Sequence, residues 1–239
     1  MSEPIGQTAG LFVTATDTGV GKTYVTAMIA RALCDAGRSV GAYKPVCSGA
    51  ETGADGALSW GDVATLTAAI GGRFEAGRVC PLRFRAPLAP NIAARRENAE
   101  IDFQQLCEGA HWWRGRVEVL LVEGVGGLLC PLTARETIAD LAATLKYPLL
   151  VVARLGLGTI NHTLLTVEAA RSRGLAVAGI LLNEAEPLAS FEGTEENPVE
   201  IEHRTRIPVL GILRHGRSLP THADGSAVSI DWATLTRCP

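Results

Sequence analysis

Two rhythms of apolar positions alternate along the chain. Short, nearly continuous apolar runs occur at the start of Leu11–Thr26 and over Ser39–Tyr43, Val117–Val122, Pro148–Ala153, Ala176–Leu182 and Ile207–Leu213. Uninterrupted runs of this length read as strands buried on both faces, the habit of parallel sheets. Between them lie segments with helical spacing. Tyr24–Ala36 places Val25, Ile29, Ala32 and Leu33 on one face and ends at Gly37, where a helix C-cap is expected. Val63–Ile70, Ile101–Trp113, Thr137–Leu145 and Thr163–Arg173 read as further helices, and Trp112 and Trp113 as packing residues. Ala50–Trp60 is small, polar and glycine-bearing and reads as a loop. Phe84–Arg96 turns on Pro87 and Pro90, and Ala185–Asn197 is an acidic, exposed loop. The alternation predicts an α/β fold with a mainly parallel β-sheet flanked by helices on both faces, joined by right-handed crossovers.

Composition narrows this picture. The 239 residues suit one domain over 1–239, and no linker or repeat divides them. A formal net charge of -3 without a basic run argues against nucleic acid as a partner. The cysteines at 34, 47, 80, 107, 130 and 238 form no C-x-x-C pair, so reduced thiols are expected. The N-terminus lacks the basic and apolar regions of a secretory signal, and no apolar stretch approaches the roughly 20 residues that span a bilayer. A cytoplasmic protein without membrane attachment is expected.

The chemistry gathers at strand ends. Between the first strand and helix stands Thr16-Asp17-Thr18-Gly19-Val20-Gly21-Lys22-Thr23, followed by Tyr24. A strand, a glycine-bearing loop and a helix opening on Gly-Lys-Thr form a phosphate cradle, since backbone N–H groups and the helix dipole favour an anion there. Lys22 can reach the β- and γ-phosphates of ATP, and the Thr23 hydroxyl can ligate Mg²⁺. Position 16, where the strict pattern has its first glycine, holds Thr16. Lys44 ends the second strand. A lone lysine there is ordinarily a solvated charge, but beside a phosphate loop it faces the crevice of an open sheet. Asp62 opens a helix and suits either the dipole or a metal. Glu123 ends the third strand in the position of an acid that orders Mg²⁺, and Gly124-Val125-Gly126-Gly127 lets backbone approach a ligand. Asn183, at another strand end, offers an amide that can read an adenine edge. His162, at a helix start, reads as a structural hydrogen-bonding residue rather than a proton carrier.

Several strings at matching separations carry a resemblance. TDTGVGKT, then Tyr43-Lys44-Pro45-Val46-Cys47-Ser48-Gly49, the proline-shaped Pro87–Asn91 stretch, Glu123-Gly124-Val125-Gly126-Gly127 and Arg154–His162 resemble the phosphate-loop family of dethiobiotin synthetases. The chain is thereby identified as a single P-loop-type domain. The resemblance implies cyclisation of 7,8-diaminononanoate with CO₂ or bicarbonate and MgATP to dethiobiotin, ADP and phosphate, in biotin biosynthesis. It implies Lys22 and Lys44 as catalytic residues, and Thr23, Asp62 and Glu123 around Mg²⁺. Thr18, Lys44, Ser48, Pro87, Gly126 and Asn161 would hold substrate, the last across a homodimer interface. Asn183 and Glu184, with Arg214-His215-Gly216, would face the base. Two positions depart from the family: Ala15 replaces a glycine, and Arg214-His215-Gly216 replaces a usual Glu-x-Pro. The alternative is a partitioning or septum-positioning ATPase that binds a protein or membrane, but that family places a lysine where this chain has Asp17. A cobyrinic acid a,c-diamide synthetase would need a glutaminase region for which 239 residues leave little room.

Overall fold

The computed structural model describes residues 8–187 and 195–236. In chain order the elements begin with β1 (Ala9–Ala15), α1 (Lys22–Asp35), β2 (Val40–Tyr43), β3 (Val46–Ser48), β4 (Glu51–Thr52) and β5 (Leu58–Ser59). Next come α2 (Gly61–Ala69), α3 (Ala76–Val79), β6 (Leu82–Phe84), α4 (Pro90–Arg96), α5 (Phe103–His111), β7 (Val119–Glu123) and α6 (Ile138–Leu145). The chain continues through β8 (Leu149–Arg154), α7 (Thr159–Arg171), β9 (Val177–Asn183), α8 (Asn197–Thr205), β10 (Val209–Leu213) and α9 (Trp232–Leu235).

Six strands form one sheet in the order β10-β9-β8-β1-β7-β2, and every pairing in it is parallel. Successive residues of a strand point to opposite faces, and both faces of this sheet are covered. Val151 and Ala153 of β8 join Val167 of α7 and Ile201 of α8, while Leu150 and Val152 join the larger core with Val25, Ile29 and Leu33 of α1. This double burial is why the strands are almost wholly apolar. Helix α1 ends in a Schellman arrangement, with Gly37 at φ 79°, its N–H on the Cys34 carbonyl and the Arg38 N–H on that of Leu33. Trp113 is fully buried, and Phe74, Trp112 and Trp113 meet edge to face.

Three expectations are revised. Part of the Ala50–Trp60 loop is a small hairpin, in which β4 pairs antiparallel with β5 around Gly56 at φ 79°. Helix α7 starts at Thr159 rather than Thr163, because Gly158 at φ 90° turns the chain into it. Asn161 and His162 therefore stand on its first turn. The loop expected over 185–197 leads into α8, and its residues 188–194 and Cys238 lie outside the described residues. The C-terminal segment contains α9, capped by the Asp231 carboxylate, which accepts from the Ala233 and Thr234 N–H groups. Among the described residues no helix is long and apolar enough to cross a membrane.

Candidate active site

The carboxyl ends of β1, β2 and β7 are neighbours, and they bring the phosphate loop, Lys44 and Glu123 together. Gly19 and Gly21 take φ of 74° and 89°, conformations that a side chain disfavours. A Cβ on Gly21 would also fall 2.1 Å from Asn183 Nδ2. That amide donates to the Val20 carbonyl at 2.8 Å and so braces the loop from β9. Lys22 is buried, with its Nζ 3.2 Å from the Asp17 carbonyl. Burial, reinforced by the nearby Lys44 charge and opposed by Glu123, lowers its pKa to about 8.

Lys44 is the hub of the charged groups. Its Nζ lies 2.5 Å from Glu123 Oε1 and 2.7 Å from Asp62 Oδ2, and only 4% of its side chain is exposed. Burial alone would lower its pKa, but the two carboxylates overturn that and hold the ammonium well above the usual lysine range. Asp62 is the mirror case. Burial would raise it, yet the Lys44 charge and hydrogen bonds from Lys44 and Thr23 hold its pKa below the ordinary aspartate value. Thr23 Oγ1 donates to Glu123 Oε1 at 2.7 Å. Glu123 is fully buried, and its Oε2 accepts no hydrogen bond among the described residues. One hydroxyl and two carboxylates, one of them with an unclaimed buried oxygen, form an all-oxygen donor set suited to Mg²⁺.

A cleft of about 470 Å³ opens over this cluster. Of the predicted residues, Thr18, Gly19, Gly21, Lys22, Thr23, Lys44, Ser48, Asp62, Pro87, Val125 and Gly126 line it. Val20 is buried beneath the loop. Gly124 is a packing glycine, since a Cβ there would lie 3.0 Å from Ile138 Cγ2. Gly126 takes φ 61°, and a Cβ would lie 2.9 Å from the Cys130 sulfur. Leu88, from the Pro87–Asn91 stretch, also lines the cleft, as do Cys47 and Cys130, which were not anticipated. Only the position of Cys47 inside the Lys44–Gly49 string could have signalled it. Asn161 and His162 are exposed on α7 and do not line this cleft. Among the described residues His162 takes part in hydrogen bonding through its backbone. Its N–H donates to the Gly158 carbonyl, and its carbonyl accepts from Thr166 Oγ1.

The predicted base-side residues form a separate wall. The Glu184 N–H donates to the Leu213 carbonyl at 2.8 Å, and Glu184 Oε2 accepts from the His215 N–H at 3.2 Å. His215 Nδ1 lies 3.1 Å from the Ala185 carbonyl. Arg214–Arg217 closes as a turn, with the Arg217 N–H on the Arg214 carbonyl and Gly216 at φ 70°. Gly216 supplies the positive φ that the third position of such a turn requires.

A family model described as an AAA domain matches residues 9–222. Over 204 residues the chain is 51% identical to the ATP-dependent dethiobiotin synthetase BioD of Anaeromyxobacter dehalogenans (strain 2CP-C), covering 85% of this chain and 89% of that one. It is 38% identical over 205 residues to the protein of the same name from Bacillus cereus (strain B4264), covering 86% and 83%. Among solved structures, the MinC:MinD cell division protein complex of Aquifex aeolicus matches with a TM-score of 0.51 at 16% identity, covering 88% of this chain and 83% of that one. At that identity the likeness concerns the fold alone.

Proposed function

The chain belongs to the ATP-dependent dethiobiotin synthetase family, and from that premise we propose how its cleft closes the ring of 7,8-diaminononanoate. One amine of the substrate attacks CO₂ and loses a proton, giving a carbamate. A carbamate oxygen attacks the γ-phosphorus of ATP, the bond to ADP breaks, and a mixed carbamic-phosphoric anhydride forms. The second amine attacks the anhydride carbonyl, expels phosphate and loses its proton, giving dethiobiotin. This chemistry asks the protein mainly for positioning and charge stabilisation.

The observation that carries the reading is the convergence of Lys22 and Lys44 on one cleft, each held differently. Lys44 is clamped by two carboxylates, so its ammonium is fixed in charge and direction at the carbamate and γ-phosphoryl oxygens. Lys22 hangs from the Asp17 carbonyl over the phosphate loop. Each preorganised charge of this kind is worth about 10²–10³ in turnover. Mg²⁺, held by Thr23, Asp62 and Glu123, would neutralise the β- and γ-phosphate oxygens. Thr18, Ser48, Pro87 and Gly126 position the diamine.

Asn161 we assign to a neighbouring subunit's site. Its exposure outside the chain's own cleft supports this, as does the apolar surface around it, where Leu129, Leu157 and Leu165 are 49%, 104% and 62% exposed. A homodimer joined there completes the substrate pocket. The five described cysteines are free thiols, which supports a reducing, cytoplasmic setting, and residues 1–239 are read as one domain.

The test is phosphate release by the purified protein with MgATP and bicarbonate, with and without 7,8-diaminononanoate, followed by mass detection. Diamine-dependent release with dethiobiotin appearing is the expected result. Hydrolysis indifferent to the diamine would point to the partner-switch ATPase instead.

A further inference from the structure

Asn183 ties the phosphate loop to the base-side wall, and a second hydrogen bond ties α1 to the same wall through a residue whose type the phosphate chemistry does not need. Tyr24 follows Thr23 on the first turn of α1, and its hydroxyl donates to the Arg217 carbonyl at 2.8 Å across 193 positions of sequence. Its side chain is not part of the core, for Tyr24 is 45% exposed. The turn that it reaches is already fastened to Glu184 and Ala185 through His215. Tyr24 thus stands between the phosphate loop at the N-terminus of α1 and the wall assigned above to the base of ATP.

We propose that Tyr24 is the positioning residue for the nucleoside half of ATP. Its hydroxyl ties the Arg214–Arg217 turn to the helix that holds the phosphates, and its ring forms one side of the nucleoside's path. The inference rests on the ATP-dependent reading above. Before ATP binds, the Tyr24–Arg217 bond is open to water and has little net worth. A nucleoside that covers it excludes that water, and the bond strengthens in the lower dielectric. Tie and nucleoside therefore reinforce each other, and loss of the hydroxyl is felt in ATP affinity rather than in the chemical step.

The experiment compares wild type, Tyr24→Phe and Tyr24→Ala for the KM of ATP, the kcat at saturating ATP, and the inhibition constant of inorganic tripolyphosphate, which occupies the phosphate loop without a nucleoside. Tyr24→Phe is expected to raise the KM of ATP about fivefold, the equivalent of one ordinary hydrogen bond. Tyr24→Ala is expected to raise it further, with kcat and the tripolyphosphate constant within twofold of wild type in both variants. An unchanged KM for ATP in both variants overturns the proposal. So does a tripolyphosphate constant that weakens in step with ATP, since that marks a damaged phosphate loop. A wild type that binds no ATP at all overturns the nucleotide reading itself, and the inference with it.

Discussion

The two regions assigned above to the phosphates and to the nucleoside of ATP are built from different materials. At the phosphate end, the contacts that set the chemistry run between side chains: Lys44 to Glu123 and Asp62, and Thr23 to Glu123. At the end assigned to the nucleoside, four ties have a backbone partner: Asn183 to the Val20 carbonyl, Tyr24 to the Arg217 carbonyl, the His215 N–H to Glu184, and the Glu184 N–H to the Leu213 carbonyl. The first end depends on which residues are present and on their charge. The second depends in part on where the chain runs: Arg214-His215-Gly216, which departs from the family's usual Glu-x-Pro, holds its turn through the Arg217 N–H on the Arg214 carbonyl.

The sharpest way to break this contrast is Lys44→Ala. Removal of the ammonium leaves the fully buried Glu123 uncompensated, a change that costs about 3–5 kcal/mol of stability, and it takes about 10²–10³ from kcat. A domain holding about 10 kcal/mol, the middle of the usual range, still folds. Adding Glu123→Gln should recover part of the denaturation midpoint but none of the turnover. A kcat near wild type would remove Lys44 from the chemistry.

Charge dependence predicts a pH effect next in size. The Lys22 pKa of about 8 lies below the ordinary lysine value because burial disfavours the cation. With the cation assigned to the phosphates, kcat/KM for ATP should fall as pH rises through about 8, losing about tenfold by one unit above it. Bound triphosphate favours the cation, so kcat should hold to higher pH, and Lys22→Arg should move the kcat/KM limb upward. A profile flat from pH 7 to 10 would contradict this.

The backbone-built end predicts smaller effects. Asn183→Ala loses the 2.8 Å bond to the phosphate loop and should raise the KM of ATP about fivefold, with nucleotide titration as the check. His215→Ala keeps the N–H that Glu184 accepts and loses only the side-chain contact to Ala185, so its KM should stay within about threefold of wild type. A larger loss for His215→Ala than for Asn183→Ala would reverse the contrast.

The same difference explains what the sequence made legible. Lys22, Thr23, Lys44, Asp62 and Glu123 lie in strings whose residue types announce their chemistry, and the fold gathers all five. Cys47 and Cys130 escaped notice because a thiol carries no such signature. Cys47 sits in β3, a strand defined only by its pairing with β6, which begins at Leu82. Asn183 was legible as a polar strand end but not as a brace, because its partner at Val20 is 163 positions away. The Tyr24 tie was illegible for the same reason. The apolar runs announced buried strands, whereas α7 began four residues early because Gly158 alone sets its start.

The position of β1 in the sheet also bears on how the protein is made. This strand is central, yet its partners β7 and β8 lie far downstream, with Ala9 paired to Val119, 119 − 9 = 110 positions later. At synthesis rates of about 5–20 residues/s, β1 and its phosphate loop wait roughly 5–20 s for a first neighbour to be translated. Through that interval the nascent chain presents the apolar Leu11-Phe12-Val13 without an edge to pair with. The strand that leads into the phosphate loop is thus exposed to misassociation until more than half of the chain has been made.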